Sequence, residues 1–118
     1  MNILLSGARG RMGRALAAAC REAGIAIAAG IDVAPGGEDA GFPIHPSFAL
    51  CREEGDVLID FTRPETLPEL LAFSLFRKLP AVLATTGYNE ADMQRIREAS
   101  LSIPVFQSAN MSLGVNLL

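Results

Sequence analysis

The sequence predicts an α/β fold, a doubly wound parallel sheet with helices on both faces, built as a single domain. Short apolar runs of strand length alternate with stretches of helical period along the chain, which implies parallel strands joined by right-handed crossovers. The first apolar run breaks at a glycine turn that opens straight into a helical pattern. The chain has 118 residues and is 50% apolar, ample for one packed core.

The opening stretch, Met1-Asn-Ile-Leu-Leu-Ser-Gly-Ala-Arg-Gly-Arg-Met-Gly-Arg14, reads as strand, glycine turn and helix start. Gly7 lets the chain turn at positive φ, Gly10 lets the backbone approach a pyrophosphate, and Gly13 lets the helix lie close on the sheet. Unpaired N–H groups at the helix start, with the positive end of the helix dipole, then face the phosphates. On the helix, Met12, Leu16, Ala19 and Ala23 form the packing face, and Arg14, Arg21 and Glu22 fall elsewhere. Gly24 is the expected C-cap.

Ile25 to Ile31 reads as a buried second strand ending at Asp32, at about the separation expected for a ribose-binding carboxylate. Val33 to Pro46 is rich in Gly and Pro and has no period, so it reads as a surface loop. His45 lies in it and reads as a solvated loop histidine, because no Cys or second His accompanies it in sequence; no metal site is expected. Ser47 to Glu54 reads as a short helix.

Asp56 to Asp60 is the third strand. After it Thr62 or Arg63 caps a helix that runs from Pro64 to about Lys78, with Glu65 favourable to the dipole, Pro68 tolerable near the start, and Leu67, Leu70, Leu71 and Leu75 as the buried stripe. Ala81 to Ala84 is the fourth strand. Asn89 caps a helix that buries Met93, Ile96 and Ser100. Pro104 to Gln107 is the fifth strand. Ligands of such Rossmann-like sheets bind at the carboxyl ends of the strands, where Gly7, Asp32, Thr62, Thr85 and Asn110 converge.

A net charge of −3 and a pI near 5.0 exclude a broad basic surface, and with it a nucleic-acid partner, although Arg9, Arg11 and Arg14 crowd the expected phosphate site. No apolar run approaches the roughly 20 residues that span a bilayer, and no secretory signal opens the chain, so no membrane role and a cytoplasmic location are expected. Cys20 and Cys51 are too far apart in sequence for a disulfide framework or a zinc motif and read as reduced thiols. The Asp32 carboxylate suits a ribose diol and repels a 2′-phosphate, with no cation at Val33 or Ala34 to offset it. NADH is therefore preferred, with NADPH possible through Arg9 or Arg11.

Four passages together resemble the 4-hydroxy-tetrahydrodipicolinate reductase family, also called dihydrodipicolinate reductase. They are Gly7-Ala8-Arg9-Gly10-Arg11-Met12-Gly13, Val57-Leu-Ile-Asp-Phe-Thr-Arg-Pro-Glu65, Val82-Leu-Ala-Thr-Thr-Gly87 and Asn110-Met-Ser-Leu-Gly-Val-Asn116. The resemblance covers the whole chain and implies a nicotinamide-dependent oxidoreductase of the diaminopimelate route to lysine. It implies that the glycine loop holds the pyrophosphate and Asp32 the adenosine ribose. Phe61, Thr62, Ala84, Thr85, Thr86 and Gly87, with Ser108, Ala109, Asn110 and Met111, would complete the cofactor site. Two departures stand out, Ala84 where the family usually has glycine and Ser108-Ala109-Asn110 where it often has Ala-Pro-Asn.

The family's His-His pair, lysine and substrate-gripping Gly-Thr lie in a second domain, so the resemblance implies that residues 1–118 are the dinucleotide-binding domain alone, without catalytic residues, bringing a small dicarboxylic substrate into play only with that domain and within a homotetramer. A short-chain dehydrogenase or epimerase would need Tyr-x-x-x-Lys, but Asp92 stands four residues after Tyr88, the one tyrosine. A stand-alone nucleotide-sensing module is the remaining alternative.

Overall fold

A computed structural model describes residues 1–34 and 40–107. The expectations for Ser108, Ala109, Asn110 and Met111 fall outside the described residues. Among the described residues there are six strands, β1 Asn2–Ser6, β2 Ala26–Ile31, β3 Ile44–His45, β4 Val57–Asp60, β5 Ala81–Leu83 and β6 Val105–Gln107. The helices are α1 Arg11–Ala23, α2 Leu67–Arg77, entered through a 3-10 turn at Pro64–Thr66, and α3 Glu90–Ala99.

The strands form one sheet in the order β3-β2-β1-β4-β5-β6, and every pairing is parallel. Connections from β1 wind outward through β2, and those from β4 wind the opposite way through β5 and β6, so the chain reverses direction between β1 and β4. Ser6 pairs with Ile31 on one side and with Asp60 on the other, so three strand ends stop level at that switch point.

Side chains alternate across β1. Ile3 and Leu5 pack with Leu16, Ala17 and Cys20 of α1, whereas Leu4 packs with Leu58 and with Leu67, Leu70, Leu71, Ile96 and Ala99 of α2 and α3. Helices therefore cover both faces. Leu4, Leu5, Leu58, Leu70 and Leu83 are fully buried, and each contributes roughly 1.5–3 kcal/mol by leaving water.

Several local expectations hold. Gly24 ends α1 at φ 74°, Pro68 lies in the first turn of α2, and Asn89 caps α3 in a reciprocal box with Asp92. The second to fifth expected strands each differ from β2, β4, β5 and β6 by one terminal residue. Ala84 lies just past β5 but still donates its N–H to Asp60 O at 2.9 Å.

The differences have physical causes. The Val33–Pro46 stretch contains β3, a two-residue edge strand that pairs with Gly30 and Ile31 and is too short to carry any alternation in sequence. The helix expected over Ser47–Glu54 shortens to a 3-10 turn at Phe48–Leu50, held by the burial of Phe48. The entry to α2 is capped at Arg63 without a side-chain bond. The packing face of α1 is Gly13, Leu16, Ala17 and Cys20, and Met12, Ala19 and Ala23 are exposed, because the close seating of Gly13 on the glycine turn rotates the helix. Ser74 takes the buried place expected for Leu75 in α2, and Ala99 that expected for Ser100 in α3. β2 is part-exposed over its first residues, since β3 pairs only with its last two, Gly30 and Ile31.

Two substitutions test this packing by urea denaturation. Gly13→Ala places a Cβ 2.2 Å from Gly7 O and should destabilise the fold by about 3 kcal/mol. Lys78, a non-glycine residue at positive φ (56°), ends α2, and Lys78→Gly should raise stability by about 0.5–1 kcal/mol.

Candidate functional site

The site begins where β1 runs out. Ser6 O accepts the Phe61 N–H at 3.0 Å, and the Gly7 N–H donates to Ile31 O at 2.8 Å, so the turn is tied to both neighbouring strands. Gly7 turns at φ 85°, and a Cβ there would meet Phe61 C and Thr62 Cγ2 at 3.2 Å. The turn closes through the Gly10 N–H, which donates to Gly7 O at 3.1 Å.

Gly10 occupies the capping position of α1, and no side chain caps the helix. Its first N–H groups and the positive end of its dipole are thus left for water or an anion. A Cβ on Gly10 would touch only Gly7 O, at 3.5 Å, so the space beside this residue is open, in contrast to the packed surroundings of Gly7 and Gly13. The buried Ser6 hydroxyl, which lines the same cleft, has no partner among the described residues. An open glycine, an uncapped helix and an orphaned hydroxyl fit a phosphate-bearing ligand.

The carboxylate of Asp32 is fixed beside the turn, with Oδ2 accepting the Arg9 N–H at 2.8 Å and Oδ1 accepting the Ala34 N–H at 2.9 Å. Two backbone donors hold it oriented while it stays half-buried on the cleft wall. The cleft, about 700 Å³, continues past Pro46, Ser47 and Phe48 on one side and Phe61, Thr62 and Arg63 on the other.

A second anchored acid was missed in the sequence. Asp60 is 2% exposed at the end of β4 and accepts from the Thr62 N–H at 3.2 Å and the Thr62 hydroxyl at 2.6 Å. The Thr85 hydroxyl lies 3.2 Å from Asp60 Oδ2 and 2.9 Å from Thr62 O, either of which can take its one proton. Asp60 therefore ties the loop after β4 to the loop after β5. The signal was present as Asp-x-Thr at a strand end, an Asx-turn pattern.

A shallower groove of about 330 Å³ lies over this junction, lined by Met12, Phe61, Thr62, Arg63, Ala84, Thr85 and Thr86. Gly87 is exposed at φ 86° beyond it. Ala8 is buried under the turn, and Arg9 and Arg14 line a separate small groove with Arg21 on the far side of α1. Of the arginines expected at the phosphate turn, Arg9 and Arg14 line this groove, and it is the Arg9 backbone N–H that meets Asp32.

Among the described residues, neither Tyr88 nor Cys51 is a ready proton donor or nucleophile. The Tyr88 phenol is pushed up to about 12, by burial first and then by the Asp60 charge, so it stays protonated. Burial, followed by the Glu53 charge, pushes the Cys51 thiol up, which makes it a poor nucleophile. The structure does bring Cys51 and Glu53 beside His45, a grouping invisible in sequence because the three are separated by irregular chain.

A glycine turn, an uncapped helix and an oriented acid on the next strand, all at the switch point of a parallel sheet, define a nucleotide-binding domain of the dinucleotide type. Residues 1–111 match the family described as dihydrodipicolinate reductase, N-terminus, and the chain belongs to that family. It is 41% identical over 117 residues to a 4-hydroxy-tetrahydrodipicolinate reductase of Clostridium novyi, covering 98% of this chain and 46% of the relative. Identity is 38% to the reductase of Clostridium tetani, over 100% of this chain and 46% of the relative. The chain thus spans a little under half the length of these curated relatives.

Among solved structures, a dipicolinate-bound dihydrodipicolinate reductase from Paenisporosarcina sp. TG-14 superposes with a TM-score of 0.69 at 18% identity, over 85% of this chain and 43% of that one. The WlbA dehydrogenase of Thermus thermophilus, solved with NAD and alpha-ketoglutarate, gives 0.71 at 15% identity, over 91% of this chain and 40% of that one. At these identities the likeness is one of fold.

Gly10→Val separates site from scaffold. The backbone at this position, φ −75° and ψ 171°, accepts any residue, so stability should change by no more than about 1 kcal/mol. Affinity for NADH, titrated by cofactor fluorescence, should fall at least about tenfold, roughly 1.4 kcal/mol. Equal affinities would place the phosphates elsewhere.

Proposed function

We propose that this chain is the cofactor-holding part of a 4-hydroxy-tetrahydrodipicolinate reductase that uses NADH in preference to NADPH. The carrying observation is the family match over residues 1–111, in a chain whose glycine turn leaves Gly10 open beside an uncapped helix. In this reading Gly7, Ala8, Arg9, Gly10, Arg11, Met12 and Gly13 surround the pyrophosphate, which the backbone N–H groups of Arg11, Met12 and Gly13 at the uncapped helix start hold, and Asp32 takes the ribose diol. Thr62, Thr85 and Thr86, with Phe61, Ala84 and Gly87 and with Ser108, Ala109, Asn110 and Met111, border the nicotinamide.

A reduced nicotinamide supplies the hydride. The chain's own work is to bind, orient and keep water away: Asp60 fixes the Thr62 and Thr85 hydroxyls, and Phe61 and Met12 give an apolar border. Threonine hydroxyls orient an amide but donate protons poorly near neutral pH. Groups that grip a small dicarboxylic substrate and protonate the product therefore come, in this proposal, from a second domain such as the other half of the relatives' length provides, within a homotetramer. Two unpaired cysteines suit a reducing cytoplasm.

The preference follows from Asp32, whose charge faces the position of a 2′-phosphate and is held there by the Arg9 and Ala34 N–H groups. NADH should bind about tenfold more tightly than NADPH, roughly 1.4 kcal/mol. Tighter NADPH binding in the same titration would mean that Arg9 or Arg11 outweighs Asp32.

The 118-residue chain by itself should bind NADH and leave it unoxidised when freshly generated substrate is supplied. Absorbance of the reduced cofactor follows this directly. Turnover in a preparation free of full-length reductase would show that the proton donor lies within these residues; binding without turnover, with turnover gained on adding the C-terminal half of a relative, would support the division of labour and set aside a stand-alone nucleotide sensor.

A further inference from the structure

His45, Cys51 and Glu53 come together at the outer edge of the sheet, where β3 ends and the chain returns through the Phe48–Leu50 turn. His45 Nε2 lies 2.8 Å from Glu53 Oε1, Cys51 Sγ lies 3.9 Å from the same oxygen, and the three donor atoms are all within 4.8 Å of one another. Tetrahedral zinc, with bonds of about 2.0–2.3 Å, sets its donors about 3.4–3.6 Å apart. The observed separations bracket that spacing, so ordinary side-chain adjustment brings all three to one centre.

The backbone around these donors is held independently of any ion. Arg77 of α2 donates from Nη1 to Glu53 O at 3.0 Å and from Nη2 to Cys51 O at 2.5 Å. Its guanidinium lies 4.8 Å from the centroid of the Phe73 ring, and Phe73 packs against Phe48 at 5.2 Å. The carbonyl of His45 accepts the Asp32 N–H at 2.9 Å. Cys51 approaches from the core at 3% exposure, whereas the His45 and Glu53 side chains are 24% and 32% exposed, which leaves a solvent side for a fourth ligand.

We propose that His45, Cys51 and Glu53 form a site for a zinc-class divalent cation, completed by water. One imidazole nitrogen, one sulfur and one carboxylate oxygen suit a borderline-soft ion and not calcium or magnesium, which take oxygen ligands. On binding, Cys51 Sγ gives up its proton to solvent, His45 keeps its ring proton on Nδ1, and Glu53 exchanges its contact with His45 for the metal. Pro46, Ser47 and Phe48, between the first and second ligands, line the cofactor cleft, so the ion braces that wall from behind.

The test is titration of the 118-residue chain with cobalt(II), followed by displacement with zinc. The expected result is one equivalent bound, with a near-ultraviolet thiolate-to-cobalt band that zinc abolishes. The band should vanish in Cys51→Ser and persist in Cys20→Ser. His45→Asn and Glu53→Gln, at part-exposed positions that leave the core intact, should each weaken zinc binding by more than ~10-fold, the least that losing even a supporting group around a metal costs. Should Cys51→Ser fail to fold, the unsubstituted band and these two variants decide. Absence of the band, its survival in folded Cys51→Ser, or unchanged zinc affinity in both His45→Asn and Glu53→Gln overturns the proposal.

Discussion

The arrangement depends on one close approach, that of the first turn of α1 to the carbonyl of Gly7. A methyl on Gly13 would lie 2.2 Å from that oxygen, so only a residue without a side chain lets the helix sit there. The approach points the uncapped helix end at the mouth of the cleft, and it sets the rotation of α1 that exposes Met12 and buries Leu16, Ala17 and Cys20 less or more deeply against the sheet. Gly7 supplies the complementary freedom by turning at φ 85° while its N–H stays bonded to Ile31. A helix dipole is useful to an anion only within about a turn of its end, so seating this end is what gives the site its charge.

Around that contact the two acids are used in opposite ways. Asp32 is held by backbone donors and keeps one side toward the cleft, whereas Asp60 is buried and its oxygens are taken up by Thr62 and Thr85. One is available to a ligand; the other orders the loops. Both stand at strand ends that lie level because β1 pairs with β2 and β4 in registers that finish together. The site is thus assembled by the sheet, and its local loops need few contacts of their own.

The family match places these features in a protein whose curated relatives are about twice as long. In the proposed division of labour this chain supplies backbone N–H groups and oriented oxygens. Neither Tyr88, with its raised pKa, nor Cys51 offers a proton or a nucleophile to the grooves.

Much of this was legible in the sequence. Gly7, Gly10 and Gly13, Asp32, the strand and helix order and the Asn89 cap are local signals, because turn, cap and period act over a few residues. Tertiary structure alone decided three things. The face of α1 followed from the Gly13 contact, which no helical period could encode among so many alanines. β3 arose because the exposed side of β2 offered free bonding groups to a passing segment. The grouping of His45 with Cys51 and Glu53, and of Asp60 with Thr85, required distant or irregular chain to be folded back, and side chains separated by loops have no period that fixes their distance.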